Sequence, residues 1–198
     1  VDSMGGGICQ VSTTLYNAVL RAELNVTERS PHSMTVHYVD LSEDAAIAGT
    51  YKDFKFVNST EYPIYIEGYT TSDKKITFNI YGKETRDKNR TISFESQMVS
   101  ETPATTILQE DAGQGIGYKA VSSKGSSGYV AELYKIVKVN GVETDRIKVN
   151  KSTYKGTNRV VTYGTAGDPT LSENLRAAIA AQDEALADAN IAAAVPAQ

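Results

Sequence analysis

The chain has 198 residues, 40% hydrophobic and 22% charged, with a net charge of −4 and one cysteine. That balance fits a globular chain with one or two cores. It argues against a nucleic-acid binder, and one cysteine excludes an internal disulfide or a cysteine-rich zinc site.

In chain order, the first feature is Gly5-Gly6-Gly7-Ile8-Cys9-Gln10, directly ahead of a stretch with helical spacing at Val11, Leu15, Val19, Leu20 and Leu24. The glycines allow positive φ and close approach to a ligand. A thiol at that junction faces free backbone N–H groups and the positive end of the helix dipole, both of which favour the thiolate. Two readings stand: a cysteine nucleophile, or a small buried hydrophobe. Because Val1 opens almost on this motif, an upstream segment is expected. The chain shows no membrane-spanning apolar run and no signal peptide.

Asn25 to Ser30 and Met34 to Asp40 read as short strands around Pro31-His32. Phe54 to Val57, Ile64 to Tyr69 and the alternating Lys75 to Tyr81 follow as further strands. Residues 1–82 therefore read as one helix packed on a small, mostly antiparallel sheet, an α+β arrangement. The charged stretch 83–90 reads as a linker. Residues 91–166 read as all-β, with strands at Ile92 to Ser96, Tyr129 to Val139, Asp145 to Val149 and Arg159 to Tyr163. Asn140-Gly141 is a two-residue hairpin signal. Residues 167–198 form an alanine-rich helical tail. It opens on a capping box at Thr170-Leu171-Ser172-Glu173, carries a stripe of Leu171, Leu175, Ile179 and Leu186, and frays around Pro196.

Residues 5–18, Glu28-Arg29, Pro31-His32-Ser33, Val36, Tyr38-Val39, Asp44-Ala45, Asp53 to Phe56 and Tyr62 to Ile66 resemble the VanW family, named from a gene associated with vancomycin-resistance clusters. The resemblance covers roughly residues 1–82, the later part of that family's domain. Gly117, Gly125, Gly128, Asn140-Gly141 and Gly164-Thr165 resemble a five-glycine (G5) module, an elongated all-β unit. Its glycines read first as turns and twist relief. Tyr118, Tyr129, Tyr134 and Tyr154 are candidates for stacking on sugar rings.

The two resemblances imply an extracytoplasmic protein of a Gram-positive cell envelope, in the cell wall or membrane-anchored on the outer face through a segment outside this chain. The implied partners are peptidoglycan stem peptides and glycan strands containing N-acetylglucosamine. Some VanW members are understood as cysteine-dependent L,D-transpeptidases, and their cysteine corresponds to Cys9. A non-catalytic binding or scaffolding protein is the alternative, and a redox-sensing thiol a third reading. The reaction would call for no metal or organic cofactor.

Acyl transfer through a thiolate needs a base, a group to orient it and an oxyanion site. Of the two histidines, His32 lies within the matching stretch and is the first choice of base, with His37 second. Asp44 is the first choice to hold the imidazole tautomer and Asp53 the second. Gly6, Gly7 and Gln10 would line the substrate, with the Cys9 N–H and its neighbours as oxyanion donors, each contributing on the order of ~3 kcal/mol. Ser12, Thr13 and Thr14 are expected to bond helix carbonyls or neighbouring strands.

Overall fold

A computed structural model describes residues 6–194. Gly5 of the glycine run and the Pro196 end of the tail lie outside the described residues. The elements begin with α1 (Ile8–Arg21), β1 (Asn25–Glu28), β2 (Lys55–Val57), β3 (Tyr65–Thr70), β4 (Ile76–Tyr81) and β5 (Arg90–Thr102). They continue with β6 (Thr106–Gly115), β7 (Lys119–Ser126), β8 (Gly128–Val139), β9 (Val142–Tyr154) and β10 (Thr157–Ala166). Helices α2 (Pro169–Ala180) and α3 (Glu184–Ala194) complete the order. The chain divides into two units: Val1–Glu101 with Tyr129–Lys155, and Thr102–Gly128 with Gly156–Gln198.

In the first unit α1 starts at Gly7, whose φ of 98° is readily adopted only by glycine. Tyr16, Val19 and Leu20 form its buried face, whereas Val11 is exposed. The helix ends where Glu23 takes a positive φ. Tyr16 and Leu20 join Ala45 and Leu133 in one core cluster, with Val26, Phe54, Phe94 and Val149 packed against it. Strands β1, β5, β8 and β9 supply Val26, Phe94, Leu133 and Val149 to this cluster; the sheets of the unit are the antiparallel pairs β1–β2 and β3–β4, and the three-stranded order β5-β8-β9. The helix is thus served by separate small sheets rather than by one. Between β8 and β9, Asn140 and Gly141 both have positive φ and join Val139 to Val142, the two-residue turn expected for Asn-Gly.

Residues 34–40 form no strand, contrary to the sequence reading. Backbone groups around them are taken by other partners. The His32 N–H donates to Asp44 Oδ2, the Pro31 carbonyl accepts from Lys52 Nζ, and the Ser33 carbonyl accepts from the Lys155 N–H. A chain held this way has no ladder to join.

In the second unit β10 is the central strand, parallel to β6 and antiparallel to β7. Leu108, Val161 and Tyr163 pack with Leu175, Ala178, Ile179 and Ala187. The tail is two helices, not one, because Gln182 takes a positive φ between them. Its amide accepts from the Leu108 N–H and donates to the Leu108 carbonyl, closing the helical corner onto β6. The N-cap of α2 is Asp168, two residues before the expected capping box, and it accepts from the Thr170 and Leu171 N–H groups with Pro169 in the first helical turn. A Cβ on Gly164 would run into the Gly115 carbonyl oxygen, so this glycine permits a close backbone approach.

Candidate functional site

Cys9 is the second residue of α1 and is half-buried. The helix has no side-chain cap, so the N–H groups of Ile8, Cys9 and Gln10 carry the positive end of its dipole. Gly6, Gly7 and Gln10 are exposed at the same turn. The thiol donates to the Ile47 carbonyl at 3.5 Å. Behind it, Ser12 Oγ donates to the Ala45 carbonyl at 2.6 Å, Thr13 Oγ1 accepts from the Ala45 N–H, and Thr14 Oγ1 donates to the Gln10 carbonyl. The Ser12 and Thr13 bonds fasten the first helical turn to the segment that carries Asp44.

Asp44 is 1% exposed, and both of its oxygens are fully engaged. Oδ2 accepts from the His32 backbone N–H and meets His32 Nδ1, each at 2.6 Å. Oδ1 accepts from Arg29 Nη2 at 2.7 Å and from the Tyr154 hydroxyl at 2.5 Å. Arg29 also donates through Nε to the Asp44 carbonyl and through Nη1 to Ser152 Oγ. An ionised carboxylate only accepts, so Nδ1 is the donor in this contact and Nε2 is the ring nitrogen left outside it.

Burial pushes the Asp44 carboxyl upward, but the His32 N–H, the Tyr154 hydroxyl and the Arg29 charge outweigh it and hold the group below the usual carboxylate range. Burial and the neighbouring Asp44 charge push the Tyr154 phenol up, so it stays a donor at neutral pH.

Tyr38 stands on the other side of the imidazole, its hydroxyl 3.4 Å from His32 Nε2 and its ring edge-on at 6.2 Å between centroids. Burial raises the Tyr38 phenol, and the proximity of Cys9 adds to the shift. No hydrogen bond joins Cys9 Sγ to His32 among the described residues; the thiol's partner is Ile47.

His32 and Asp44 are thus brought together, while Cys9 is bonded to Ile47 and no hydrogen bond joins it to that pair among the described residues. The second choices fall elsewhere. His37 is exposed on the loop, and Asp53 caps the Phe54 N–H and lies 3.5 Å from Lys55 Nζ. Arg29 and Tyr38 lie within the stretches that resemble VanW, but nothing in their spacing gave them roles. Tyr154 is 2% exposed and cannot stack on a sugar, a correction to the sequence reading; Tyr118, at 41%, is exposed. A cleft of about 910 Å³, bordered by Ala18, Arg21, Tyr62, Ile80 and Arg86, includes none of Cys9, His32 or Asp44.

Residues 1–81 match the family described as VanW like protein, and residues 94–166 match the G5 domain. The uncharacterized protein YoaR of Bacillus subtilis (strain 168) is 46% identical over 65 residues, which is 33% of this chain and 22% of that protein. The chain therefore spans about a fifth of that relative's length. Two solved structures are similar. The IgA1 protease G5 domain structure has 24% identity, covers 42% of this chain and 100% of that one, and gives a TM-score of 0.31. The HP0197-G5 crystal structure has 20% identity, covers 38% and 97%, and gives 0.24. Among the described residues no helix is long and apolar enough to cross a membrane. The chain carries a VanW-like domain at residues 1–81 followed by a G5 domain at 94–166, a pairing that points to an extracytoplasmic, cell-wall-associated protein.

Proposed function

We propose that this protein is a cysteine acyltransferase of the cell wall, an L,D-transpeptidase that joins peptidoglycan stem peptides through a thioester on Cys9. The observation that carries the reading is the His32 Nδ1–Asp44 contact at 2.6 Å, which leaves Nε2 free of the carboxylate, taken together with a cysteine at the uncapped start of α1. On substrate binding the thiol turns from the Ile47 carbonyl and gives its proton to Nε2. The thiolate attacks the carbonyl of an L,D peptide bond, and the N–H groups at the start of α1 hold the oxyanion. The leaving D-alanine amine takes the proton from His32. An acceptor amine then attacks the thioester, passes its proton to Nε2 and frees Cys9. Water in place of the amine gives a carboxypeptidase. The G5 segment supports N-acetylglucosamine-containing glycan as the second partner.

Incubation of stem peptides with the intact protein and with Cys9→Ala, read by mass spectrometry, tests the reading. Loss of terminal D-alanine and cross-linked product are expected only with the intact protein; equal turnover by Cys9→Ala overturns it. One observation favours a second reading, a non-catalytic wall-binding protein: the thiol is bonded to Ile47 rather than to His32. Sacculus binding that survives Cys9→Ala, with no peptide turnover by either form, selects that reading.

A further inference from the structure

We infer that Tyr154 is a positioning residue for the His32–Asp44 pair, so that the candidate site is composite, completed by a strand from the segment that matches G5. The inference deepens the Cys9 reading above and rests on it for its functional meaning, but its geometry stands separately. Asp44 comes from the VanW-like residues 1–81, whereas Tyr154 ends β9, within residues 94–166. Both belong to the same structural unit.

The Tyr154 hydroxyl is used in both directions. It donates to Asp44 Oδ1 at 2.5 Å and accepts from the Ser42 N–H at 2.7 Å. The second bond fixes the phenol oxygen, so its hydrogen has one place to go. With Arg29 on the same oxygen and both His32 donors on the other, the four acceptor positions of the carboxylate are filled. A carboxylate so held cannot rotate away from Nδ1. The same strand reinforces the arrangement: Ser152 Oγ accepts from Arg29 Nη1, and Asn150 Nδ2 donates to the Tyr16 hydroxyl and to the Ser42 carbonyl. β9 thus reaches the carboxylate, its arginine partner and the loop that carries both. The titratable and charged groups that act on Asp44 or feel its charge include Arg29, His32, Tyr16, Tyr38 and Tyr154. Of these, Tyr154 comes from beyond the VanW-like residues.

The test is Tyr154→Phe in the full chain, with Tyr134→Phe as control because its hydroxyl serves Glu132. The readouts are the Asp44 carboxyl titration by 13C NMR and the His32 tautomer by 15N NMR. Loss of the phenol donor is expected to raise the Asp44 midpoint by about one unit and to weaken the Nδ1–H signature, while the control changes neither. A folded Tyr154→Phe with both readouts unchanged overturns the inference. Because this change also strands the Ser42 N–H, a second form carries 3-fluorotyrosine at position 154, which has the same shape but is a stronger donor. Its Asp44 midpoint is expected to fall; an unchanged midpoint overturns the inference equally. Neither readout needs turnover, so an inactive Cys9 would sink the proposed reaction while leaving this result to stand or fall separately.

Discussion

At the scale of single residues, Asp44 does two jobs with one carboxylate: it pairs a buried guanidinium and orients an imidazole. Arg29 is 6% exposed in its side chain, so removing the Asp44 charge would leave a buried cation without its counter-ion. Asp44→Asn is therefore expected to cost about 3–5 kcal/mol of stability, read by urea denaturation. A cost below about 1 kcal/mol would mean that the pair is solvated in a way its burial does not indicate. The pH dependence follows from the direction of the shift. The Asp44 carboxyl is held below its ordinary value, so its contribution is complete at neutral pH and is lost as pH falls through the folded value, in the region below about 4. Glu23 acts in the same sense. Hydrogen bonds from Arg90, then Lys135 and Arg86, outweigh burial and lower it to about 2. Acid unfolding should accordingly steepen below pH 4, and Asp44→Asn should flatten that limb.

At the scale of elements, the features set by local chemistry were legible and those set by distant partners were not. Asn140-Gly141 names its own turn, because both residues tolerate positive φ. Gly141→Val is expected to destabilise the β8–β9 hairpin by about 1–2 kcal/mol, measured by chemical denaturation, since a β-branched residue resists φ of 82°. Strands β4 and β8 were visible from their apolar patterns, and α1 from its spacing. β6 and β7 escaped notice. Their sequences TILQEDAGQG and KAVSSKGS are largely polar and mostly exposed, and they are strands because β10 lies between them. Residues 34–40 failed in the opposite sense, since Val36, Tyr38 and Val39 look extended but nearby backbone groups are bonded to side chains and to Lys155. The cap of α2 was missed by two residues. Asp168→Ala should lower stability by about 1 kcal/mol and reduce helical signal in circular dichroism.

At the scale of the whole molecule, what was legible of the candidate site was the His32–Asp44 pair, which the VanW-like segment carries within itself and the structure brings into contact, whereas the thiol of Cys9 bonds Ile47. What sequence spacing could not show is the contribution of β9, more than a hundred residues later along the chain. The first unit's core makes the same point, since Tyr16, Leu20 and Ala45 pack with Leu133, while Phe94 and Val149 close over them. Residues 1–82 expressed alone are expected to expose that cluster and bind a hydrophobic dye, whereas the whole chain gives dispersed NMR spectra. A folded, dye-free 1–82 fragment would show that the β5-β8-β9 sheet is dispensable to this core.

Intact-mass spectrometry of the full-length protein mixed with a stem peptide ending in D-alanine tests thioester formation on Cys9. An adduct equal to the peptide less its terminal D-alanine is expected, located on Cys9 and released by hydroxylamine, and absent from Cys9→Ala. No adduct, with the protein still bound to sacculi, would contradict it.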